Sequence, residues 1–295
     1  LARALGGRGH EVAAASLYLP PVTDAPSSDR RQPLFYGAVS LYLRHRFPSL
    51  RSAPRWVGRL LDSPPLLRAA GAMAGATDAS GLADLTLSML RGEEGGQAAE
   101  LEQLVGWLRS VRPDAGHLSN CLLTGVARRV RRELGVPVLC TLQDEDTWID
   151  SLDPEGRETA WQLLRERAAD VDLFLPVSRW YARFMAGQMA IPEERLVVVP
   201  VGIDADAFAA RPGGLPFDPP VIGYLSRVSE HSGAGLLADA AVLLLEGGRF
   251  PGLRLRFTGG STSADSPLAA SIRRRLTRAG GRAEFVHSFG QEDRA

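Results

Sequence analysis

The sequence of 295 residues contains no lysine. All 34 of its basic residues are arginines. Any site whose chemistry requires a lysine must therefore use another group. Acidic residues also number 34, so the formal net charge is zero. The chain lacks the basic surplus that is typical of nucleic-acid binders, and we expect no nucleic-acid partner.

The sequence has only two cysteines, Cys121 and Cys140. They are too few for a disulfide framework and their spacing does not fit a metal site, so we expect buried thiols and no bound metal ion. No apolar run reaches the roughly 18 residues that a membrane-spanning helix needs, and the first residues lack a signal-peptide pattern. These absences predict a cytoplasmic protein, with peripheral contact to a membrane left open.

Short apolar strands alternate with amphipathic helices along most of the sequence, which is typical of parallel βαβ units. Near-continuous apolar strands favour sheets that are covered on both faces. The alternation stops in a segment rich in Pro and Gly, residues 205–219, and then restarts. The sequence therefore predicts the α/β class, with two Rossmann-like parallel-sheet domains that face a cleft: residues 1–204, and an incomplete domain at residues 220–295.

Residues 19–96 interrupt the first domain with helical patterns joined by Pro and Gly, far more chain than a crossover between parallel strands needs. We expect a helical insertion that recognises the acceptor, with Tyr36, Arg91 and Glu94 as its candidate residues. Tyr36 could equally be a core residue, and the charged pair a surface ion pair worth little. The chain lacks an initiator Met and stops just after a strand, so we expect a fragment that lacks both ends.

Glycines and an arginine follow several predicted strands, and ligands of open parallel sheets bind beyond the carboxyl ends of the strands. Gly202 ends the last strand of the first domain, where a glycine lets a ligand approach the backbone. Arg227 follows the first strand of the second domain, beside a helix start that suits anions. Later strands end at Gly259, Gly260 and Val286. Each has an ordinary alternative, such as a plain turn, a solvated arginine or a core strand, but together they indicate a nucleotide-diphosphate cleft.

Polar residues also follow two strands of the first domain. His117 and Asn120 lie at the end of one strand, and Gln143 and Asp144 follow the next. Asp144 opens a run of three carboxylates, residues 144–146, that could bind sugar hydroxyls or act as a base. The alternatives are a solvated acidic loop that caps the next helix and, for His117, a loop histidine with satisfied hydrogen bonds.

Several segments of the chain resemble the GT-B glycosyltransferases that retain anomeric configuration, of the family 4 or glycosyl transferases group 1 type. They are "RLVVVPVGIDADAF", "IGYLSR", "LRLRFTGG" and "FVHSFG", with "PDAGHLSN" and "LGVPVLCTL" in the first domain. The resemblance implies transfer of a sugar from a UDP-, GDP- or ADP-sugar to a sugar, lipid or small-molecule acceptor. It implies no obligatory cofactor or metal, a donor in the second domain and an acceptor in the first.

The resemblance also assigns roles to individual residues. Arg227 matches the arginine that bridges the donor diphosphate and stabilises the leaving group, an electrostatic contribution to the transition state. Gly202 matches the glycine that lines the cleft, and Ser232, Gly259, Gly260 and Val286 complete the expected donor site. Arg227 and His117 are the candidate catalytic residues.

Two departures from the family pattern bear on activity. The family usually has a lysine before the helix-starting glycine, Gly233, where this chain has Ser232. It often has a histidine near the reacting sugar, where this chain has Gln143. The alternatives to a retaining glycosyltransferase are therefore a non-catalytic nucleotide-sugar-binding relative or assembly subunit, and a sugar-nucleotide epimerase on the same fold.

Overall fold

The computed structural model describes residues 1–15, 79–203, 219–226, 228–230, 232–248, 250–258 and 265–286. The chain divides into two compact units, Leu1–Val201 and Gly202–Ala295. Most of the segment predicted as a linker lies outside the described residues. Both units contain a parallel sheet with helices, which confirms the predicted α/β class.

The first unit is built on a three-stranded parallel sheet in the order β1 (Gly116–Leu118), β2 (Val138–Leu142) and β3 (Leu173–Pro176). A 3-10 segment, Cys121–Val126, follows β1. The helices described in this unit are α1 (Ala2–Gly6), α2 (Ala79–Arg91), α3 (Ala98–Val111), α4 (Ala127–Leu134), α5 (Glu145–Asp150), α6 (Pro154–Arg167) and α7 (Arg179–Met189).

Local capping signals set the ends of these helices. Asp153 accepts a hydrogen bond from the Gly156 N–H at 2.9 Å and starts α6. Ser178 accepts one from the Tyr181 N–H at 3.1 Å and starts α7 directly after β3. Gly135 ends α4 with a φ of 68°, a left-handed conformation that glycine adopts without a steric cost. Side-chain oxygens of Asp and Ser are favoured at helix starts because they satisfy free N–H groups, so the sequence fixes these turns locally.

One face of the first sheet is fully packed. Side chains that alternate along β2, namely Val138, Cys140 and Leu142, are buried together with Phe174 of β3. The alternate positions Leu139 and Thr141 are only half-buried. The expectation of sheets covered on both faces is therefore met on one face only within the part of the chain that the structure describes. The thiols of Cys121 and Cys140 are free and buried, as predicted, and burial raises the pKa of both.

Helix α2 is part of the core of the first unit, although its sequence falls within the predicted insertion. Ala83, Leu87 and Leu90 pack in the same apolar cluster as β2 and α6. After α2, the backbone at Gly92 lies in close contact with the backbone at Gly125. A Cβ atom on Gly92 would overlap the Gly125 carbonyl oxygen. Residues 79–96 thus support the sheet, whereas residues 19–78 lie outside the described residues.

The strand that the sequence predicts before Gly202 is present as an extended segment beside β3. The Val197 N–H donates to the Phe174 carbonyl at 3.0 Å and the Val199 N–H to the Pro176 carbonyl at 2.9 Å. Leu196 and Phe174 form a parallel bridge. Val197 is 47% exposed and Val201 70% exposed, so this apolar run, which has the composition of a buried strand, is an exposed edge in the described structure.

The second unit has a parallel sheet in the order β4 (Val221–Tyr224), β5 (Arg254–Phe257) and β6 (Arg282–Phe285), with helices α8 (Ala234–Glu246) and α9 (Ser266–Arg278). Its core contains fully buried side chains from both layers, including Ala238, Leu255, Ile272 and Leu276. The alternation of strands and helices that the sequence predicts after residue 219 is confirmed in the described residues. In neither unit does a described helix have the length and apolar character that crossing a membrane would require.

Candidate active site

Three turns meet at the carboxyl edge of the first sheet, one after each strand. The Cys121 N–H, after β1, donates to Oε1 of Glu145, after β2, at 3.1 Å. The hydroxyl of Tyr181, in the first turn of α7 after β3, lies 2.9 Å from Oε2 of Glu145. Glu145 and Tyr181 therefore connect the ends of all three strands.

The carboxyl group of Glu145 is buried, with only 4% of the residue exposed. Its Oε2 also accepts a hydrogen bond from the Gln143 N–H at 2.6 Å. Burial raises the pKa of Glu145, although the hydrogen bonds from the Cys121 and Gln143 amides favour the ionised form. Of the three adjacent carboxylates, this one belongs to the interior and not to a solvated acidic loop.

The hydroxyl of Tyr181 has three polar neighbours. It accepts a hydrogen bond from the Glu145 N–H at 2.9 Å, and it lies 2.8 Å from Oδ1 of Asp146 in addition to its contact with Oε2 of Glu145. Desolvation and the adjacent carboxylates raise the pKa of Tyr181 far above its usual range, so the phenol keeps its proton. The sequence indicated Glu145 only as one member of a run of three carboxylates, and it did not single out Tyr181.

Asp144 and Gln143, both predicted to bind the acceptor, are exposed at this edge. Asp144 has a left-handed backbone, with φ of 62°, which is uncommon for a residue with a side chain. Its Oδ1 accepts a hydrogen bond from the Thr147 hydroxyl at 2.7 Å. Strained residues of this kind are held by their surroundings and are concentrated at functional sites. The predicted contact of Asp144 with the acceptor stays a prediction.

His117 lies on the half-buried face of the first sheet, near the same edge. Its Nε2 is 2.8 Å from the Thr141 hydroxyl oxygen, and Thr141 comes two residues before Gln143. Partial burial lowers the pKa of His117, which favours the neutral imidazole at neutral pH. A neutral ring in this position can exchange hydrogen bonds with a hydroxyl group, but it does not supply a fixed positive charge.

The side chain of Asn120 is engaged in local structure. Its Oδ1 accepts a hydrogen bond from the Leu122 N–H at 3.1 Å and caps the 3-10 segment after β1. Its amide nitrogen lies 3.4 Å from the Ser119 hydroxyl. Asn120 shapes the turn at the carboxyl edge, and its predicted contact with the acceptor stays a prediction.

Arg91 and Glu94 are placed at the opposite edge of the first sheet. Arg167, the last residue of α6, donates to the Arg91 carbonyl at 3.2 Å and to Oε2 of Glu94 at 3.4 Å. Because α6 runs antiparallel to the strands, its last residue lies at their amino ends. The structure therefore does not bring Arg91 and Glu94 together with Asp144, and it gives Glu94 an ion pair with a buried guanidinium.

In the second unit, the turn before α8 is closed by its own side chains. The Tyr224 hydroxyl at the end of β4 donates to the Ser232 carbonyl at 3.0 Å. Tyr224 also forms a row with Phe257 and Phe285 at the last paired position of the three strands, with ring centroids 5.2 and 4.9 Å apart. Gly233 enters α8 with a φ of 78°. The aromatic row fixes the carboxyl edge of this sheet and the turn that carries Ser232.

A carboxylate of the protein lies at the amino end of α8. A Cβ atom built on Gly235 would come within 2.7 Å of Oε2 of Glu230, so this carboxylate sits against the first turn of the helix. The free N–H groups of a helix start attract anions. Glu230 therefore places a negative charge next to the position at which the sequence predicts a donor phosphate.

The other predicted donor residues have fewer contacts. An added Cβ at Gly202 would meet no atom within 4 Å, so the packing of the described residues does not require a glycine there. The Val286 N–H donates to the Phe257 carbonyl at 2.8 Å and extends β6 by one residue. The remaining candidates, Tyr36, Arg227, Gly259 and Gly260, lie outside the described residues.

Two surface grooves lined by described residues lie away from the carboxyl edges of the sheets. One of about 410 Å³ lies between α8 and α9, and another of about 490 Å³ lies at the amino edge of the first sheet, lined in part by Gly135 and Asp172. In the parts of the two units that the structure describes, no group of three or more His, Cys, Asp or Glu side chains is arranged to hold a metal ion.

A family model described as the glycosyl transferase 4-like domain matches residues 1–202 of the sequence. The chain belongs to this family. The family resemblance that the sequence indicated is thereby confirmed, and the match covers the whole of the first unit. A search of curated proteins found no match to the sequence.

Several solved structures are similar to the chain of this glycosyl transferase 4-like protein. Sucrose-phosphate synthase from Thermosynechococcus elongatus has a TM-score of 0.51 at 16% identity, covering 66% of this chain and 51% of that one. HepE from Anabaena in complex with UDP has a TM-score of 0.49 at 15% identity, covering 65% and 52%. The first of these supports the GT-B-like fold. The chain spans about half the length of these proteins.

Proposed function

We propose that this protein transfers a sugar from a nucleotide-sugar donor to an acceptor with retention of anomeric configuration. The family match over residues 1–202 carries the proposal. The exposed polar groups at the carboxyl edge of the first sheet support it, because this edge is where open parallel sheets bind their ligands. We assign the domains as in the sequence, with residues 1–204 on the acceptor side, a linker at 205–219, and residues 220–295 on the donor side.

The second unit would hold the donor, a UDP-, GDP- or ADP-sugar, at the turns after β4, β5 and β6. Arg227 would pair with the diphosphate and stabilise the leaving group, since a guanidinium binds phosphate bidentately and keeps its charge. The turn at Ser232 and the first N–H groups of α8 would approach the same phosphates. Gly259, Gly260 and Val286 would border the nucleoside. No resident cofactor or metal enters this scheme.

The first unit would hold the acceptor, a sugar, a lipid or another small molecule with a free hydroxyl. The Asp144 carboxylate and the Gln143 amide are exposed and fixed beside each other, so they can bind neighbouring hydroxyls. The neutral His117 ring lies on the same side of the strand ends. A lipid acceptor would bring the protein to the surface of a membrane from the cytoplasm.

A second candidate function is a non-catalytic nucleotide-sugar-binding relative or assembly subunit. The turn before α8 favours it, because Ser232 stands where the family usually has a lysine and the Glu230 carboxylate lies against Gly235. Both features reduce the positive potential that a diphosphate leaving group requires.

Titration calorimetry of the full-length protein with UDP, GDP and ADP tests the donor assignment. We expect one of them to bind and Arg227→Ala to weaken it by roughly 10- to 100-fold, the loss of a charged hydrogen-bond partner. Arg274→Ala, on the exposed side of α9, removes the same charge elsewhere and serves as the control. If none of the three nucleotides binds, the proposal is wrong.

Nucleotide release from UDP-glucose, GDP-mannose and ADP-glucose then separates the two candidate functions. Release, with a product whose anomeric configuration matches that of the donor by NMR, supports a retaining transferase. Tight nucleotide binding without release from any of these donors supports the non-catalytic relative.

A further inference from the structure

A single buried carboxyl and a single phenol hold the three turns of the candidate acceptor site together. Glu145 accepts hydrogen bonds from the backbone after β1 and from Gln143 after β2. Tyr181 binds the backbone and side chain of Glu145 and reaches Asp146. The exposed pair Gln143 and Asp144 directly precedes Glu145, so its position depends on these bonds.

The phenol of Tyr181 lies between two carboxyl groups, and its single proton cannot form a hydrogen bond with both of them. Its hydroxyl has one proton to donate, yet an oxygen of Glu145 and an oxygen of Asp146 lie within 2.9 Å of it. If both carboxyls were ionised, one of them would face a lone pair of the phenol at hydrogen-bond distance. A proton on Glu145 removes the conflict, because Glu145 then donates to Tyr181 and Tyr181 donates to Asp146.

We call the hydrogen-bonded chain of Glu145, Tyr181 and Asp146 the proton bridge. With Glu145 protonated, every polar group of this bridge has a hydrogen-bond partner. The phenol oxygen accepts from the Glu145 N–H and from the Glu145 carboxyl, while the two carboxyl oxygens still accept from the Cys121 and Gln143 amides. Among the residues that the structure describes, the titratable groups that face Glu145 are acids, namely the thiols of Cys121 and Cys140, Tyr181, and Asp146 next to it. Burial raises the pKa of Glu145, in agreement with a retained proton.

We propose that Glu145 and Tyr181 are positioning residues, and that the proton they share with Asp146 fixes the turn that presents Gln143 and Asp144 to the acceptor. The consequence for transfer rests on the proposed function, whereas the proton bridge itself does not. Ordinary core packing of Tyr181 would need no proton, and this difference makes the two explanations separable.

Glu145→Gln tests the bridge without reference to activity. An amide whose nitrogen faces Tyr181 can donate to the phenol and accept from the Cys121 N–H, as the protonated acid does. It no longer accepts from the Gln143 N–H, a loss that is the same at every pH, so the test is the pH dependence of stability and not its absolute value. A carboxyl whose pKa is raised on folding stabilises the protein fully below its unfolded-state pKa, near 4.3, and that stability is lost as pH rises through the folded-state pKa. The melting temperature of the wild type should therefore fall by roughly 2–4 °C relative to that of Glu145→Gln as pH rises from about 4 to 8.

All five tryptophans precede residue 201, so tryptophan fluorescence reports the melting of the first unit. Asp150→Asn, an exposed change at the end of α5, is the matched control and should give a curve parallel to that of the wild type. Parallel curves for the wild type and Glu145→Gln would overturn the proton bridge.

The kinetic readout uses nucleotide release from whichever of UDP-glucose, GDP-mannose or ADP-glucose the full-length protein consumes. Tyr181→Phe should lower kcat about tenfold with an unchanged donor KM. The kcat of the wild type should decline at high pH as Glu145 loses its proton, and Glu145→Gln should not show this decline. For Glu145→Gln, a kcat that declines with pH as in the wild type would refute a positioning role. For Tyr181→Phe, an unchanged kcat or a change in donor KM alone would refute it. If the wild type consumes none of these donors, the proposed function fails, while the melting curves still decide whether the bridge exists.

Discussion

The Ser229 hydroxyl donates a hydrogen bond to the Ser232 hydroxyl at 2.9 Å, and the Ser232 N–H donates to the Ser229 oxygen at 3.2 Å. This pair of serines closes the turn in which related proteins usually carry a lysine. A neutral pair can hold the backbone, but it adds no charge opposite a diphosphate.

Restoring the missing charge should strengthen donor binding. We expect Ser232→Lys to tighten the affinity for the bound nucleoside diphosphate about five- to tenfold in titration calorimetry, because the ammonium group adds an opposite charge at an exposed position. Thr277→Lys adds the same charge near the far end of α9 and should have little effect. An unchanged affinity for Ser232→Lys would mean that another cation already compensates.

Neutralising Glu230 should act in the same direction. The carboxylate lies against the first turn of α8, so Glu230→Gln removes a negative charge from a helix start that would otherwise favour phosphate. We expect affinity for the nucleoside diphosphate to rise about three- to fivefold at low ionic strength and less at high salt. Glu246→Gln changes the same charge at the other end of α8. Equal effects of the two variants would show that only net charge matters.

The contact between Gly92 and Gly125 predicts a glycine that cannot be replaced. A Cβ atom on Gly125 would overlap the Met89 carbonyl oxygen, so Gly125→Ala must displace backbone, and we expect a loss of roughly 1–3 kcal/mol in the free energy of unfolding.

Gly106 provides the control for that substitution. It lies inside α3 and an added Cβ meets no atom within 4 Å, so Gly106→Ala should stabilise the first unit by about 0.5–1 kcal/mol. Chemical unfolding followed by tryptophan fluorescence measures both. A neutral Gly125→Ala would contradict the packing of α2 on the 3-10 segment.

Replacing residues 19–78 should separate acceptor use from donor binding. The swap must leave residues 79–96 in place, because α2 supplies Leu87 and Leu90 to the core. We expect nucleotide affinity within about twofold of the wild type and an altered product profile against a panel of sugar and lipid acceptors. A folded variant with strongly reduced nucleotide affinity would show that the segment serves the donor.

The alternation of apolar strands and amphipathic helices was enough to predict both parallel sheets, because each local pattern agrees with the final fold. It was harder to predict whether a given strand lies at the edge or in the interior of its sheet. The run of valines at 197–199 has the same composition whether a strand is buried or lies at an edge, and only its exposure in the structure distinguishes the two. Spacing likewise could not tell that Arg91 and Glu94 would lie at the amino edge.

The site was only partly predictable for a related reason. Asp144, Glu145 and Asp146 are chemically alike in the sequence, yet one is exposed and strained, one is buried, and one is bound to Tyr181. The residue that makes the difference comes 36 positions after Glu145. No local pattern connects the two, because the contact exists only once β2 and β3 lie side by side.

The left-handed backbone of Asp144 gives natural selection an inexpensive route to a more stable protein. A glycine there would relieve the conformation at once, and would also remove the carboxylate from the strand edge. If Asp144 binds the acceptor as proposed, the aspartate marks a trade between stability and activity. In a laboratory selection for heat resistance alone, Asp144→Gly should be among the early substitutions, and the lineages that acquire it should be those that lose use of their acceptor.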